Sequence, residues 1–413
     1  MSTAKILETA ARSPVLPETS RRPGKLLLLR RDGYNQEGID SAVRDLFEHF
    51  GGITKFIAPG GRVLLKVNLL AGHEPERCVT THPSLVRAAT RVVLEAGGEP
   101  VIADSPGIDS FSWAARKAGF ADVARELGVP CVELTDPVLL PPRPDAAFHK
   151  IEVSRLALKS DFIINLPKMK THAQMLLSLG VKNLFGCVVA QRKAEWHYNV
   201  GLRREAFASL LLDIWNGLSA APENQENAPR IFTILDGVIG MDGLGPTNGT
   251  PFPFGVVAGA EDAVTLDFWL CRMMGVQLED FPLWRAAKAR SVPQCVLDEG
   301  DIAGDFPPEH RWKGVNIPKL DSLSLIPGLS RLPFGRALER ALASRPAHRL
   351  ECCTGCGKCV AVCRAEAIAL RGKVLTFDYE RCIRCYCCHE MCPSDAIQFR
   401  DGLLRKAMRL FGK

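Results

Sequence analysis

Eight cysteines near the C-terminus of this chain fall into one spacing, used twice. Cys353, Cys356, Cys359 and Cys363 read C-x2-C-x2-C-x3-C, and Cys382, Cys385, Cys388 and Cys392 repeat it. Thiolates are soft ligands, and two-residue gaps let a tight loop wrap three of them around one face of a [4Fe-4S] cubane, which requires four. The repeat therefore predicts two such clusters. Zinc fits the pattern poorly, because its sites take two pairs of ligands parted by a spacer, and three cysteines in successive x2 steps plus a fourth overfill a tetrahedron. Disulfide frameworks belong to short secreted chains, whereas this one has 413 residues.

The fourth thiolate of each cluster must come from outside its triplet. In two-cluster ferredoxins it comes from the other motif, because the x3 step begins a helix that carries its cysteine toward the second cluster. Cys353, Cys356, Cys359 and Cys392 are accordingly assigned to cluster 1, and Cys382, Cys385, Cys388 and Cys363 to cluster 2. The repeat extends past the ligands: CTGCGKCVAVCRAEAI aligns with CIRCYCCHEMCPSDAI, giving two pseudo-symmetric halves in which Ala367-Ile368 and Ala396-Ile397 would pack on the cubanes. One position departs from the symmetry. Pro393 follows Cys392, but Arg364 follows Cys363, and a positive charge there would raise the potential of cluster 2 or attract a donor. Cys352 and Cys387 are extra thiols beside ligands, read as spectators.

A second set of chemical residues lies at the ends of apolar runs. Lys66 and Asn68 follow Leu64-Leu65; Asp104-Ser105-Pro106-Gly107 follows Val101-Ile102; Asn165, Lys168, Lys170 and His172 follow Ile163-Ile164; Asp236 follows Ile234-Leu235. A buried lysine is unfavourable by several kcal/mol unless it is paired, so repeated lysines at one rim point to a bound anion. The stretch from Pro167 to Tyr198 is densest, running through Lys182, Asn183, Gly186, Cys187, Lys193 and His197. Lysines there would clamp a carboxylate or phosphate as point charges, with His172 or His197 as proton donor. Taken singly, each is as well explained as a loop lysine or a satisfied histidine; the convergence at strand ends is what favours a site. Cys187 reads as a small buried apolar residue, Asp262 as a helix N-cap, and the run Asp236-Gly237 to Gly245-Pro246 as a glycine-turn loop whose carboxylates orient lysines or hold a cation. No phosphate-binding P-loop, dinucleotide fingerprint or nucleophile elbow is present.

The elements that would position these groups alternate. Strands are expected at Lys25 to Arg30, Arg62 to Leu70, Pro100 to Ala103, Cys131 to Leu134, Asp161 to Leu166, Arg230 to Leu235 and Gly255 to Ala260. Helices are expected at Gly38 to His49, Pro83 to Ala96, Ser112 to Leu127, Glu205 to Trp215 and Ala263 to Met274. Such alternation predicts an α/β fold, a mainly parallel sheet with helices on both faces, which places ligands beyond the carboxyl ends of the strands. The expected organisation is a flexible tail (1–24), an α/β domain (25–317), a proline-rich basic linker (318–347), a small α+β two-cluster ferredoxin domain (348–400) and a basic tail (401–413). A composition of 46% hydrophobic and 24% charged residues suits a globular chain, and a net charge of +6 without a long basic run gives little support to a nucleic-acid partner. Fifteen cysteines point to a reducing compartment, the cytoplasm. Ser20-Arg21-Arg22 before Leu26 to Leu29 looks like an export signal only superficially, its apolar run being too short. No integral membrane segment is expected.

The segments LLKVNLL, TTHP, ADSPG, INLPKMKTH, VKNLFG and DGVIGMDGLGP, with CIRCYCCHEMCP, resemble the prokaryotic iron-sulfur proteins that carry the domain of unknown function 362, over roughly residues 60 to 275 plus the cysteine module. The resemblance implies functional roles for Lys66, Asn68, His82, Asp104, Lys168, Lys170, His172, Lys182, Asn183 and Asp236. It supplies no mechanism. The reading that follows is an iron-sulfur oxidoreductase passing electrons between a soluble redox protein and a small anionic substrate, with Lys168, Lys170, His172, Lys182 and Asp236 catalytic and Lys66, Asn68, His82, Asp104 and Asn183 binding. A non-catalytic carrier or assembly factor, whose α/β domain docks a protein, is the alternative.

Overall fold

The computed structural model describes residues 25–141, 143–189, 192–200, 203–219, 230–318 and 344–400. The expected tails and most of the expected linker lie outside these residues. The first strands and helices are β1 (Leu26–Arg30), α1 (Gln36–His49), β2 (Arg62–Lys66), α2 (Pro83–Glu95), β3 (Glu99–Asp104), α3 (Phe111–Lys117), α4 (Phe120–Leu127) and β4 (Cys131–Glu133). After them come β5 (Phe162–Asn165), β6 (Lys168–His172), β7 (Leu176–Ser178), α5 (Gly180–Asn183), α6 (Arg192–Val200), α7 (Arg204–Ser219), β8 (Ile231–Asp242), β9 (Val256–Ala260), α8 (Ala263–Met273) and β10 (Ile302–Gly304).

The main sheet runs β10-β1-β9-β8-β5-β2-β3-β4. Pairing is parallel from β8 through β5, β2 and β3 to β4, and between β1 and β10; β9 alone along this path is antiparallel to both neighbours. The middles of the central strands are apolar because both faces are covered. Alternate residues serve opposite cores: Val63, Leu65, Phe162 and Ile164 pack with Val43, Phe47 and Val86 of α1 and α2, while Leu64 and Ile163 pack with Phe207, Leu211 and Trp269 of α7 and α8. The expected α/β architecture is the one observed.

Three elements differ from expectation for local reasons. The helix expected over Ser112 to Leu127 is two, broken at Gly119, whose φ of 77° is left-handed. β2 stops at Lys66 because the next amides turn to side chains, Asn68 N–H to Thr81 Oγ1 and Leu69 N–H to Asp104 Oδ2. β8 runs on to Asp242 because β6, beyond the end of β5, extends its pairing. Asp262 is the N-cap expected, accepting from the Val264 and Thr265 amides.

The C-terminal module comprises β11 (Arg345–His348), α9 (Lys358–Val362), the hairpin β12 (Ile368–Arg371) and β13 (Val374–Phe377), α10 (Cys387–Glu390) and β14 (Ile397–Arg400). It begins earlier than expected, since β11 pairs with β14 and so belongs to the module rather than to a linker. The module sits over the carboxyl ends of β2, β3 and β6. Lys358 Nζ meets Asp109 at 2.5 Å and Arg364 meets Glu195 at 3.2 Å. In the run from Asp236 to Pro246 the Asp236 carboxylate orients Lys168, and just beyond it Thr247 Oγ1 and Asn248 Nδ2 donate to the Glu390 and His389 carbonyls at 2.9 and 3.0 Å, satisfying the end of α10. No helix among the described residues is long and apolar enough to cross a membrane.

Candidate functional site

The two cysteine loops share a backbone signature that their spacing alone does not reveal. Gly355, Gly357 and Glu366 have positive φ in the first half, and Arg384, Tyr386 and Asp395 have it at the matching positions of the second. Non-glycine residues adopt this conformation rarely. It curls each loop inward, so that Cys353, Cys356, Cys359 and Cys392 ring one hollow and Cys363, Cys382, Cys385 and Cys388 ring another. Apolar Leu370, Leu375 and Ile397 close the first hollow and Val362 and Ile368 the second. Backbone amides already point at the crossing thiols, Ala367 N–H to Cys363 Sγ at 3.3 Å and Ala396 N–H to Cys392 Sγ at 3.2 Å. Thiol-ringed hollows with apolar walls and N–H···S donors fit iron-sulfur clusters. No group of three or more His, Cys, Asp or Glu among the described residues converges on a single metal ion.

Beneath the second loop lies a cavity of about 310 Å³, walled on one side by the sheet's strand ends and on the other by Cys387, Glu390 and Met391 of the module. Lys66, Lys170, Lys182 and Lys193 all line it, with Asn68, Asp104 and Asn183. Lys66 ends β2 and Asp104 ends the adjacent β3, which brings Nζ and Oδ1 to 2.8 Å with both side chains buried. Lys170 Nζ donates to Asn68 Oδ1 at 2.6 Å and to the Val79 carbonyl at 2.7 Å. Asn68 Nδ2 donates on to Asn183 Oδ1, and Asn183 Nδ2 to Asn165 Oδ1, so a chain of amides fixes the lysine. Lys193 Nζ donates to the Ser105 carbonyl. Among the described residues the Lys182 ammonium has no hydrogen bond or ion pair, and Glu390 is the charge that chiefly attracts it.

Burial acts on Lys170, Lys182 and Lys193. It pulls Lys170 down to about 7, aided by repulsion from Lys182 and Lys168 and opposed by Glu390 and Asp104. Lys193 falls to about 8, and Lys182 is lowered as well, in both cases chiefly by burial. His197, in the cavity wall, is driven to about 3 by burial and by Lys182, and stands neutral. The site thus offers cations close to losing their protons, which is the state an entering anion would reverse.

Residues 63–272, half of the chain, match the domain of unknown function 362 (DUF362). The chain belongs to the DUF362 family. Residues 375–398 match the 4Fe-4S binding domain, so the protein is an iron-sulfur, electron-transfer type of DUF362 protein. It is 35% identical over 265 residues to the thylakoid-associated protein sll1697 of Synechocystis sp., a match spanning 63% of this chain and 77% of that one. Among solved structures it is similar to the lactate racemase apoprotein from Thermoanaerobacterium thermosaccharolyticum, with a TM-score of 0.35 and 15% identity over 61% of this chain and 57% of the racemase.

Within the DUF362 domain the expected site residues separate into two groups. Lys66, Asn68, Asp104, Lys170, Lys182 and Asn183 line the cavity. Lys168, Asp236, His82 and His172 do not. Lys168 Nζ lies 2.9 Å from Asp236 Oδ2 and 2.7 Å from the Tyr34 hydroxyl, which donates to Asp236 Oδ1 at 2.6 Å. His82 stacks on Tyr34, donates its backbone N–H to Asp236, and caps α2 through Nδ1. That network is closed and buried, and it lies outside the cavity lining. His172 is also fully buried. Its Nδ1 accepts from the Gln174 and Met175 amides, which leaves the ring proton on Nε2, 3.2 Å from Glu390 Oε1 at an ion-pair distance without hydrogen-bond alignment. It supports Glu390 from behind rather than touching the cavity. Cys187 is buried with its thiol pushed up to about 11, in keeping with a packing role.

Glu390 and Met391 were missed, although the repeat carried a signal. Where the first half has Val360-Ala361-Val362 between its last two cysteines, the second has His389-Glu390-Met391. The first triplet faces largely outward and the second is buried against the DUF362 domain.

Proposed function

We propose that this DUF362 protein is an oxidoreductase carrying two [4Fe-4S] clusters, which reduces or oxidises a small anionic substrate held in the cavity between its two modules. The observation that carries this reading is the shared wall: buried lysines on one side, and on the other the loop bearing Cys385, Cys387 and Cys388. Cys353, Cys356, Cys359 and Cys392 would hold cluster 1, and Cys382, Cys385, Cys388 and Cys363 cluster 2. The clusters would supply electrons one at a time from a soluble protein donor. Everything else falls to the chain's own residues. Lys182 holds the anion, the Asn68–Asn183 amides fix Lys170, and Lys170 and Lys193, lowered by burial to about 7 and about 8, each give up one proton to a substrate that takes two electrons and two protons. The need to keep ligand thiols reduced supports a cytoplasmic location.

Iron and sulfide analysis with EPR of the anaerobically purified protein tests the reading. About eight irons per chain are expected, falling to about four in Cys363→Ser or Cys392→Ser. The dithionite-reduced protein should be reoxidised by a member of a panel of carboxylates and phosphates. Four irons in the parent chain, or reduced clusters that no panel member reoxidises, would overturn it.

A further inference from the structure

The cavity also specifies which anion it takes. This inference rests on the oxidoreductase reading for its purpose but not for its geometry. Of the charged residues lining the cavity, Asp109 is engaged by Lys358 and Arg364 by Glu195. What remains is four ammonium groups, Lys66, Lys170, Lys182 and Lys193, facing three carboxylates, Asp104, Glu133 and Glu390. Glu390 has the proton-bearing Nε2 of His172 beside it, and Asp104 is satisfied by Lys66 and by the Leu69 and Ser105 amides. With all four protonated the surplus is one positive charge, and the lining lysine with no hydrogen bond or ion pair among the described residues is Lys182, on which Glu390 is the main attraction. Four thiolates give a bound cluster behind Cys387 a net negative charge, which weighs further against a second negative charge on the ligand.

The form of the anion follows from what is absent around Lys182. Phosphate sites usually offer a fan of free backbone amides or an arginine fork. Here the amides opening α5, those of Gly180 and Val181, are consumed by Asp267 at 2.7 and 3.0 Å, and Arg364 is turned to Glu195. The rest of the lining is apolar, including Leu69, Ile108, Phe185, Val362 and Met391. A volume of about 310 Å³ holds on the order of ten water-sized groups.

We propose that the cavity binds a small monocarboxylate, its carboxylate on Lys182 and its apolar remainder against Phe185, Val362 and Met391. Calorimetric titration of the full-length, cluster-loaded protein under anaerobic conditions tests this with butyrate, benzoate, succinate and inorganic phosphate as probes. Butyrate and benzoate are expected to bind at least tenfold more tightly than succinate or phosphate. Lys182→Met should weaken butyrate at least tenfold, and Lys182→Arg should retain most of the affinity. Tighter binding of phosphate or succinate, no binding of either monocarboxylate, or unchanged butyrate affinity in Lys182→Met would each overturn the proposal. The probe ranking uses the unmutated chain, so it decides even if a variant folds poorly. Reoxidation measured on the same samples separates the two readings. A phosphate ester that binds and reoxidises the clusters sinks the monocarboxylate and spares the oxidoreductase, whereas monocarboxylates that bind through Lys182 without any panel member reoxidising the clusters do the reverse.

Discussion

Lys168 and Lys182 look alike in the sequence, both following the same apolar strand and both inside segments shared with the family, yet the fold puts them to opposite uses. Lys168 is enclosed with a carboxylate, a phenol and a stacked imidazole, every charge matched. Lys182 is held on a short helix at the cavity wall with no hydrogen bond or ion pair among the described residues, attracted chiefly by Glu390. A strand-end position nominates a polar group, but the partner it meets decides whether it stabilises or binds. The contrast is open to direct attack. Asp236→Ala leaves the Lys168 ammonium buried and uncompensated, and a buried pair broken from one side destabilises by about 3–5 kcal/mol. Lys182→Met removes a charge that burial already disfavours and should change stability by less than about 1 kcal/mol. Urea unfolding of both variants measures the two values, and equal losses would erase the distinction.

The second test acts on the cavity's own closed pair. Gly186 passes so near Lys66 and Asp104 that an added Cβ would stand 2.4 Å from Nζ and 2.4 Å from Oδ1. Gly186→Ala must push the pair apart, and overpacking of this kind destabilises by about 1–3 kcal/mol. Gly33→Ala, with nothing within 4 Å of the new Cβ, is the control and should stay within about 0.5 kcal/mol. A neutral Gly186→Ala would mean that the Lys66–Asp104 pair is looser than its geometry implies.

Next in size is a pH effect confined to the cavity side. Lys170 titrates near 7 in the folded chain against 10.5 for a free lysine. Between those values the unfolded chain carries a proton that the folded one has released, so stability rises with pH, by up to about 1.4 kcal/mol per pH unit. Below pH 7 both states are protonated and the slope vanishes. Burial chiefly sets this value, with Lys182 and Lys168 repelling the ammonium and Glu390 and Asp104 attracting it. Denaturant midpoints between pH 7.5 and 9.5 should show the slope in the parent chain and its loss in Lys170→Met. A saturating monocarboxylate should flatten it as well, by restoring the proton.

Much of this was legible in the sequence because it depends on pattern. Apolar runs of strand length, helical spacing such as Ile39, Val43, Leu46 and Phe47, and the cysteine repeat each fix an element by its own periodicity. Lys66, Asp104 and Lys170 could be placed at a rim because parallel strands end on one side. What stayed hidden depends on which side chains meet across long separations. Nothing local to Lys168 announces Tyr34 and Asp236, 134 and 68 residues away, and nothing local to Lys182 announces that a module some two hundred residues later closes the cavity over it. The signals that crossed that gap were breaks in symmetry: His389-Glu390-Met391 for Val360-Ala361-Val362, and Arg364 in place of a proline.

Arg364 itself carries the smallest expected effect and the sharpest reading of such breaks. As a charge beside a cluster ligand it was expected to tune a potential or attract a donor. The guanidinium lines the second cysteine hollow and pairs with Glu195 on α6, an exposed pair that ties the module to the DUF362 domain across the edge of the cavity. An ion pair that exposed contributes on the order of 0–1 kcal/mol and is screened by salt. Arg364→Ala should therefore lower stability by less than about 1 kcal/mol in low salt and by nothing measurable in 1 M salt. If its charge is balanced by Glu195, the same variant should leave the midpoint potentials in an EPR-monitored titration nearly unmoved, whereas Lys182→Met, removing an unbalanced cation from the cavity wall, should lower the potential of the nearer cluster. A larger shift from Arg364 than from Lys182 would reverse which of the two lysine-rich and arginine-marked edges faces the redox centre.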